Sequence, residues 1–371
     1  MIGWEDVYKV VAAMAPLYFA LILGYGSVKW WKIFSTQQCD AINKLVCYFT
    51  LPLFTFEFTS HIDPFHLNFP FIAADAIGKL LIVLVLAFWT KCTTKGSYCW
   101  SITSFSLSTL TNALVIGVPL AKVMYGEMAV DLVVQGSVVQ AIVWLTTLLF
   151  VLELRRTGLD LVAAGDSSGF VSDEKTVQVG GEGEKDLEGE GMEGEERRSS
   201  SKSRRPSLKP LMKKVWVKLA GNPNSYACTI GFAWAFVAKR WDVEMPSIME
   251  GSILIMSKAG TGTAMFNLGI FMALQEKLIA CGPTLTIVGM VLKFIAGPAA
   301  MAIGSVAMGL HGDVLRVAII QAAVPQSITS FIYAKEYGLH ADVLSTAVIF
   351  GAIVSLPVLV AYYAALEFIV H

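Results

Sequence analysis

Two stretches of this chain set amides, hydroxyls and proline inside apolar sequence. The first reads Leu110-Thr111-Asn112-Ala113-Leu114-Val115-Ile116-Gly117-Val118-Pro119, and the second Gln321-Ala322-Ala323-Val324-Pro325-Gln326-Ser327-Ile328-Thr329-Ser330. A proline inside a helix removes a backbone donor and frees an earlier carbonyl, so helix breaks are expected at Pro119 and Pro325. Irregular backbone at membrane depth persists only when it is buried in protein or lines a wet cavity. Half-helix N-termini present unpaired N–H groups that stabilise anions. Asn112 and Gln326 add amide donors without the desolvation cost of a fixed charge. The chemistry on offer is reversible holding of an anion such as a carboxylate. Ordinary proline kinking with Ser/Thr packing accounts for either stretch alone, whereas matched broken helices point to a transporter's binding site.

Few other charges fall within apolar sequence. Asp75 and Lys79 stand four residues apart, share one helix face and can pair. One reading is a structural salt bridge; the other is a support beneath the site whose pairing changes with substrate or protons. Lys258, among Ser257, Gly260, Thr261 and Gly262, sits in a polar cavity or snorkels. Lys293 reads as a packing or pseudo-repeat residue, and Glu57 and Glu153 as interface residues near helix ends. The six cysteines lie in or beside apolar runs, without metal-ligand spacing or a disulfide framework. There is no phosphate loop, no metal-binding His cluster and no Gly-x-Ser-x-Gly elbow. The expectation is a protein that is not an enzyme and holds neither cofactor nor metal. A net charge of −1 gives no footprint for nucleic acid.

The elements that must position these residues are membrane spans. Of 371 residues, 55% are hydrophobic and 15% charged, against roughly 25% charged in an average soluble domain. Ten stretches approach the ~20 apolar residues needed to cross a bilayer. They are 7–28, 39–60, 71–90, 99–123 and 130–153, then 222–239, 247–273, 284–308, 314–335 and 341–367. The N-terminus, Met1-Ile2-Gly3-Trp4-Glu5-Asp6, is acidic where a cleavable signal needs positive charge, so the first span is expected to stay. The chain divides into a repeat at 1–155, a loop at 156–213 and a repeat at 214–371. The loop joins an acidic Gly-rich run to a basic Ser-rich one and cannot bury a core, which predicts disorder. Arg204-Arg205-Pro206-Ser207 within it is a kinase substrate at Ser207 or simply solvated linker.

Lys and Arg near span ends give orientation. Arg155 and Arg156 precede the loop, and Lys209, Lys213, Lys214 and Lys218 follow it, which places it in the cytosol. Alternation puts Lys29, Lys32, Lys91, Lys95, Lys277 and Lys335 there too, while Lys239 and Arg240 oppose the rule. Five spans on either side then place both termini outside the cytosol. An odd number of spans per half has a further consequence: if the halves are repeats, they are inverted. Tyr125-Gly126 resembles Tyr337-Gly338. After a one-residue slip, Asp131 matches Asp342, and Ala141-Ile142-Val143 matches Ala352-Ile353-Val354. The expected fold is all-α, with ten spans as two inverted five-helix repeats and the fourth and ninth broken and crossing.

Several motifs together resemble the plant PIN auxin efflux carriers over both apolar halves. They include Pro16-Leu17-Tyr18, Gln38-Cys39-Asp40-Ala41-Ile42-Asn43 and Leu51-Pro52-Leu53. Asn222-Pro223-Asn224-Ser225-Tyr226, Ala264-Met265-Phe266-Asn267-Leu268-Gly269 and Ala334-Lys335-Glu336-Tyr337 complete the set. The resemblance implies scaffold and transport domains, a homodimer, rocking or elevator alternation, and indole-3-acetate as substrate. A loop of roughly 55 residues resembles the short-loop members of the endoplasmic reticulum, with the plasma membrane as the alternative. Carried over by position, Asn112 and Asn224 are implied as carboxylate partners, and Leu51, Leu114 and Ile328 as packing against the indole ring. Asp75, Lys79 and Gln140 match the polar support region, Gln140 also standing among the substrate-binding residues. The chain departs from the pattern at Thr111 and Ser330, where proline is usual, and at Leu145, where tyrosine is usual.

The leading expectation is uniport of an auxin anion by alternating access. A cation- or proton-coupled organic-anion symporter and a non-transporting membrane sensor or scaffold are the alternatives.

Overall fold

The computed structural model describes residues 4–93, 96–167, 212–213, 215–217, 221–277 and 279–369. The charged runs of the central loop and Ser207 lie outside the described residues. Apart from one isolated bridge, the regular structure among the described residues is helical.

Helices cover Trp4–Lys29, 36–60, Phe69–Cys92, a broken pair at Tyr98–Thr109 and Ala113–Tyr125, and then 127–167. After the loop come Pro223–Trp241, Ser247–Leu274, Pro283–Ala307, a second broken pair at Gly312–Ala323 and Ile328–Glu336, and Ala341–Ile369. Among the described residues, five helices are long and apolar enough to cross a membrane: Tyr8–Lys29, Phe69–Cys92, Glu127–Arg156, Pro283–Ala307 and Ala341–Phe368. The helix expected to end at 153 runs on to Ser167, into the stretch assigned to the loop. Leu159, Leu161, Ala163 and Ala164 are good helix formers and carry it past the arginines.

Among the described residues, four widened turns interrupt the helices, at Val46–Thr50, Ala113–Gly117, Gln140–Trp144 and Leu292–Ala296. Three have a common cause. The residue just before Pro52, Pro119 and Pro298 donates its N–H five residues back: Leu51 to Val46, Val118 to Ala113 and Gly297 to Leu292. The proline ring crowds the carbonyl four residues earlier, and widening the turn relieves that crowding. For Pro298 that carbonyl belongs to Phe294, and Tyr362 donates its hydroxyl to it.

Packing sorts the helices into two groups, each drawing on both halves of the sequence. Trp4–Lys29, 36–60, Pro223–Trp241 and Ser247–Leu274 form one group. A Cβ on Gly24 would strike the Phe266 carbonyl, and one on Gly269 the Leu21 carbonyl, so these glycines let two backbones touch. Val10, Met14, Leu17 and Leu21 then interlock with Ala264, Met265, Leu268 and Met272 in one apolar cluster. The second group holds both broken helices, with Phe69–Cys92 packed on Pro283–Ala307.

Candidate functional site

The two broken helices meet at their breaks. Asn112 donates its N–H to the Pro325 carbonyl at 2.8 Å, and Ser327 donates to the Leu110 carbonyl at 3.3 Å. Thr111 and Gln326 form an antiparallel bridge between them. Backbone groups freed by one break are thus satisfied by the other, which is what permits irregular chain inside the bundle. Pro325 lies at the break of the second, between Ala323 and Ile328. Pro119 does not lie at the break of the first: that helix opens at 110–112, and Pro119 stands in the following half-helix. Its effect is the widened turn at Ala113–Gly117, not the break.

Side chains complete the crossing. Gln140 donates Nε2–H to the Thr111 carbonyl at 2.8 Å and accepts the Thr111 N–H on Oε1 at 3.1 Å. Proline at 111 would lack that N–H, so Thr111 makes a bond the usual residue cannot. Gln326 donates to the Ser106 carbonyl at 2.9 Å and to Ser330 Oγ at 2.7 Å. Ser330 in turn donates to the Ser327 carbonyl, a link that proline at 330 would also remove.

Beside the crossing lies a cavity of about 560 Å³. It brings together Leu51, Asn112, Leu114, Gln140, Asn224 and Ile328, residues from five separate helical segments. Three helix N-termini reach it, those following Asn112, Asn222 and Ser327. Asn222 caps its helix in the ordinary way, its Oδ1 accepting the Asn224 N–H at 3.0 Å. Asn112 holds the same position on its half-helix, yet its side chain makes no cap. That leaves its carboxamide available to a ligand. Asn224 accepts the Thr55 hydroxyl on Oδ1, so its Nδ2 donors remain to serve the cavity. Leu145, where tyrosine is usual, contributes an apolar wall.

Asp75 and Lys79 pair at 2.8 Å, both largely buried, and line a small polar pocket with Thr111, Gln140 and Gln321. Sequence reasoning missed their third partner, Trp144. Its indole Nε1 donates to Asp75 Oδ2 at 3.2 Å, while its ring lies 5.1 Å from the Lys79 ammonium. It also missed Thr55 and Tyr333, whose hydroxyl accepts from Asn222 at 3.1 Å. The hydroxyls at 55 and 333 carry no local signal, because their partners lie 169 and 111 residues away.

Broken helices that satisfy one another and present their N-termini to a substrate-sized cavity are the architecture of a membrane transporter. The family model described as membrane transport protein matches residues 9–363. The chain is 69% identical over 369 residues to auxin efflux carrier component 5 of Arabidopsis thaliana, covering 100% of both chains. It is 59% identical over 371 residues to probable auxin efflux carrier component 5a of Oryza sativa subsp. japonica, again covering 100% of each. Auxin efflux carrier component 4 of Arabidopsis thaliana is 30% identical over an alignment of 614 positions that covers 99% of this chain and 100% of the relative. That relative therefore carries a long insertion that this chain lacks. The chain belongs to the membrane transport protein family and, within it, to the auxin efflux carriers with a short central loop.

Proposed function

We propose that the chain carries the auxin anion indole-3-acetate across a membrane by alternating access, as ten spans in two inverted five-helix halves at 1–155 and 214–371. The relatives' names supply auxin as the substrate class, and the family resemblance implies indole-3-acetate within it. The observation that carries the reading is the convergence of three helix N-termini and two asparagines on one apolar-walled cavity. Its volume falls within the roughly 300–1,000 Å³ of small-molecule sites. Amides of Asn112 and Asn224 and the N–H groups that open the half-helices after Asn112 and Ser327 hold the carboxylate, while Leu51, Leu114 and Ile328 face the ring. None of these is a fixed charge, which suits a carrier that must also release its cargo.

Gln140 acts as the brace of the crossing, and Asp75–Lys79 supports it from the far side. The cavity extends to Asn43, Asn267 and Glu336, at the helix ends nearest Lys32, Lys277 and Lys335. By the positive-inside rule this conformation opens to the cytosol. The short loop favours exchange between cytosol and endoplasmic reticulum lumen. The test is uptake of labelled indole-3-acetate by proteoliposomes containing the full chain. Saturable flux above empty vesicles is expected; its absence overturns the carrier reading, and dependence on sodium or a proton gradient turns it into a symporter.

A further inference from the structure

Lys79 and Lys293 stand 214 positions apart, each in the helix that precedes a broken one. Their surroundings differ in one respect. Lys79 has Asp75 one turn earlier and pairs with it at 2.8 Å. The position one turn before Lys293 is Gly289, and among the described residues no carboxylate pairs with Lys293. Yet Lys293 is wholly buried. Its Nζ lies 3.4 Å from the Leu110 carbonyl, the same oxygen that accepts the Ser327 N–H. Leu110 closes the Tyr98–Thr109 half-helix, so the ammonium meets the negative end of a helix dipole two residues before Asn112. The charged groups around it are Lys79 and, through Lys79, Asp75.

Keeping the Lys293 ammonium charged there without a counter-ion is costly, and an arriving anion favours the charged form and offsets that cost, where a pre-formed ion pair gains little. The Asp75–Lys79 pair is already neutral as a unit. Lys293 does not line the cavity, so it acts across the crossing as a positioned charge and not as a direct ligand.

We propose that Lys293 is a specificity-determining residue: held against the Leu110 carbonyl behind the crossing, its ammonium makes the cavity at Asn112 prefer an anionic ligand to a neutral one of the same shape. This rests on the reading of that cavity as the substrate site. The decisive variant is Gly289→Asp, which rebuilds beside Lys293 the arrangement of Asp75 and Lys79. A Cβ at Gly289 meets nothing within 4 Å, so the side chain has room to start. Gly289→Asn controls for bulk, and Lys293→Met removes the charge outright.

Dissociation constants of indole-3-acetate and of its neutral amide, indole-3-acetamide, are measured on the purified full chain. The wild type is expected to prefer the acid. Gly289→Asp and Lys293→Met are expected to weaken the acid about tenfold, with the amide changed less than about twofold, while Gly289→Asn keeps the wild-type preference. Should Lys293→Met fail to fold, the Asp and Asn pair at 289 decides alone. Unchanged acid affinity in Gly289→Asp, or equal loss of both ligands, overturns the inference and leaves the site reading intact. A wild type that binds neither ligand overturns both.

Discussion

Thr55 donates its hydroxyl to Oδ1 of Asn224, joining the 36–60 helix to the start of the Pro223–Trp241 helix. Both residues line the main cavity. The bond decides which end of the Asn224 carboxamide faces a ligand: with Oδ1 occupied, the two N–H donors are left. Thr55→Val keeps the shape and removes the orienting hydroxyl. Uptake of indole-3-acetate by this variant is expected to show KM raised about fivefold with little change in maximal rate, the worth of one neutral hydrogen bond. Thr55→Ser restores the wild-type KM. A Val variant with unchanged KM removes Thr55 from the site.

Asn112 should matter more. Its carboxamide occupies a helix N-cap without capping, so removing it leaves the half-helix unharmed and removes a donor meant for a charged oxygen. A hydrogen bond to a charged group is worth about 2 kcal/mol, or about thirtyfold in Kd. Asn112→Ala is expected to lose that affinity for indole-3-acetate while its melting temperature stays within about 2 °C of the wild type. Large destabilisation with unchanged affinity would make Asn112 a structural residue.

Hydropathy and proline made an all-helical chain with long apolar helices and paired breaks legible, because both are properties of consecutive residues. The position of the first break was not. Pro119 marks a widened turn, and the break at 110–112 depends on hydrogen bonds with the Pro325 carbonyl, the Ser327 N–H and the Gln140 carboxamide that no local pattern contains. The roles of Thr55, Trp144 and Tyr333 were equally hidden, since each becomes meaningful only once distant helices meet. Gln140 shows the intermediate case. The family resemblance singled it out by position, but only the geometry shows its carboxamide turned to the Thr111 backbone.

That brace yields a stability prediction. Gln140→Leu leaves the Thr111 N–H and C=O buried without their partner, at about 1–3 kcal/mol for each unsatisfied group. The variant is expected to melt well below the wild type in detergent, and bound indole-3-acetate should recover only part of the loss. Gln140→Glu keeps an acceptor for the Thr111 N–H but offers no donor to its carbonyl at neutral pH, so its melting point should fall between the two. Equal melting points across the three proteins would show that the crossing does not depend on residue 140.

The turn before the last helix carries a pH signature. His340 has φ of +45°, stacks on Trp100 at 4.0 Å between ring centres, and sets Nδ1 2.8 Å from Thr103 Oγ1. Thr103 donates its own hydrogen to the Cys99 carbonyl, so it accepts from His340 Nδ1–H, which leaves Nε2 to titrate. Burial first, and the nearby Arg155 charge second, push the His340 pKa below its ordinary value. The folded protein therefore disfavours the imidazolium. Its contribution to stability is complete above the unfolded histidine pKa of about 6.5 and is lost as pH falls through the lower folded value. The melting temperature should hold steady from about pH 8 to 7 and decline toward pH 5. His340→Asn tolerates the left-handed backbone and does not titrate there. Its melting curve is expected to be flatter over the same interval, and parallel profiles for the two proteins would rule the histidine out as the source.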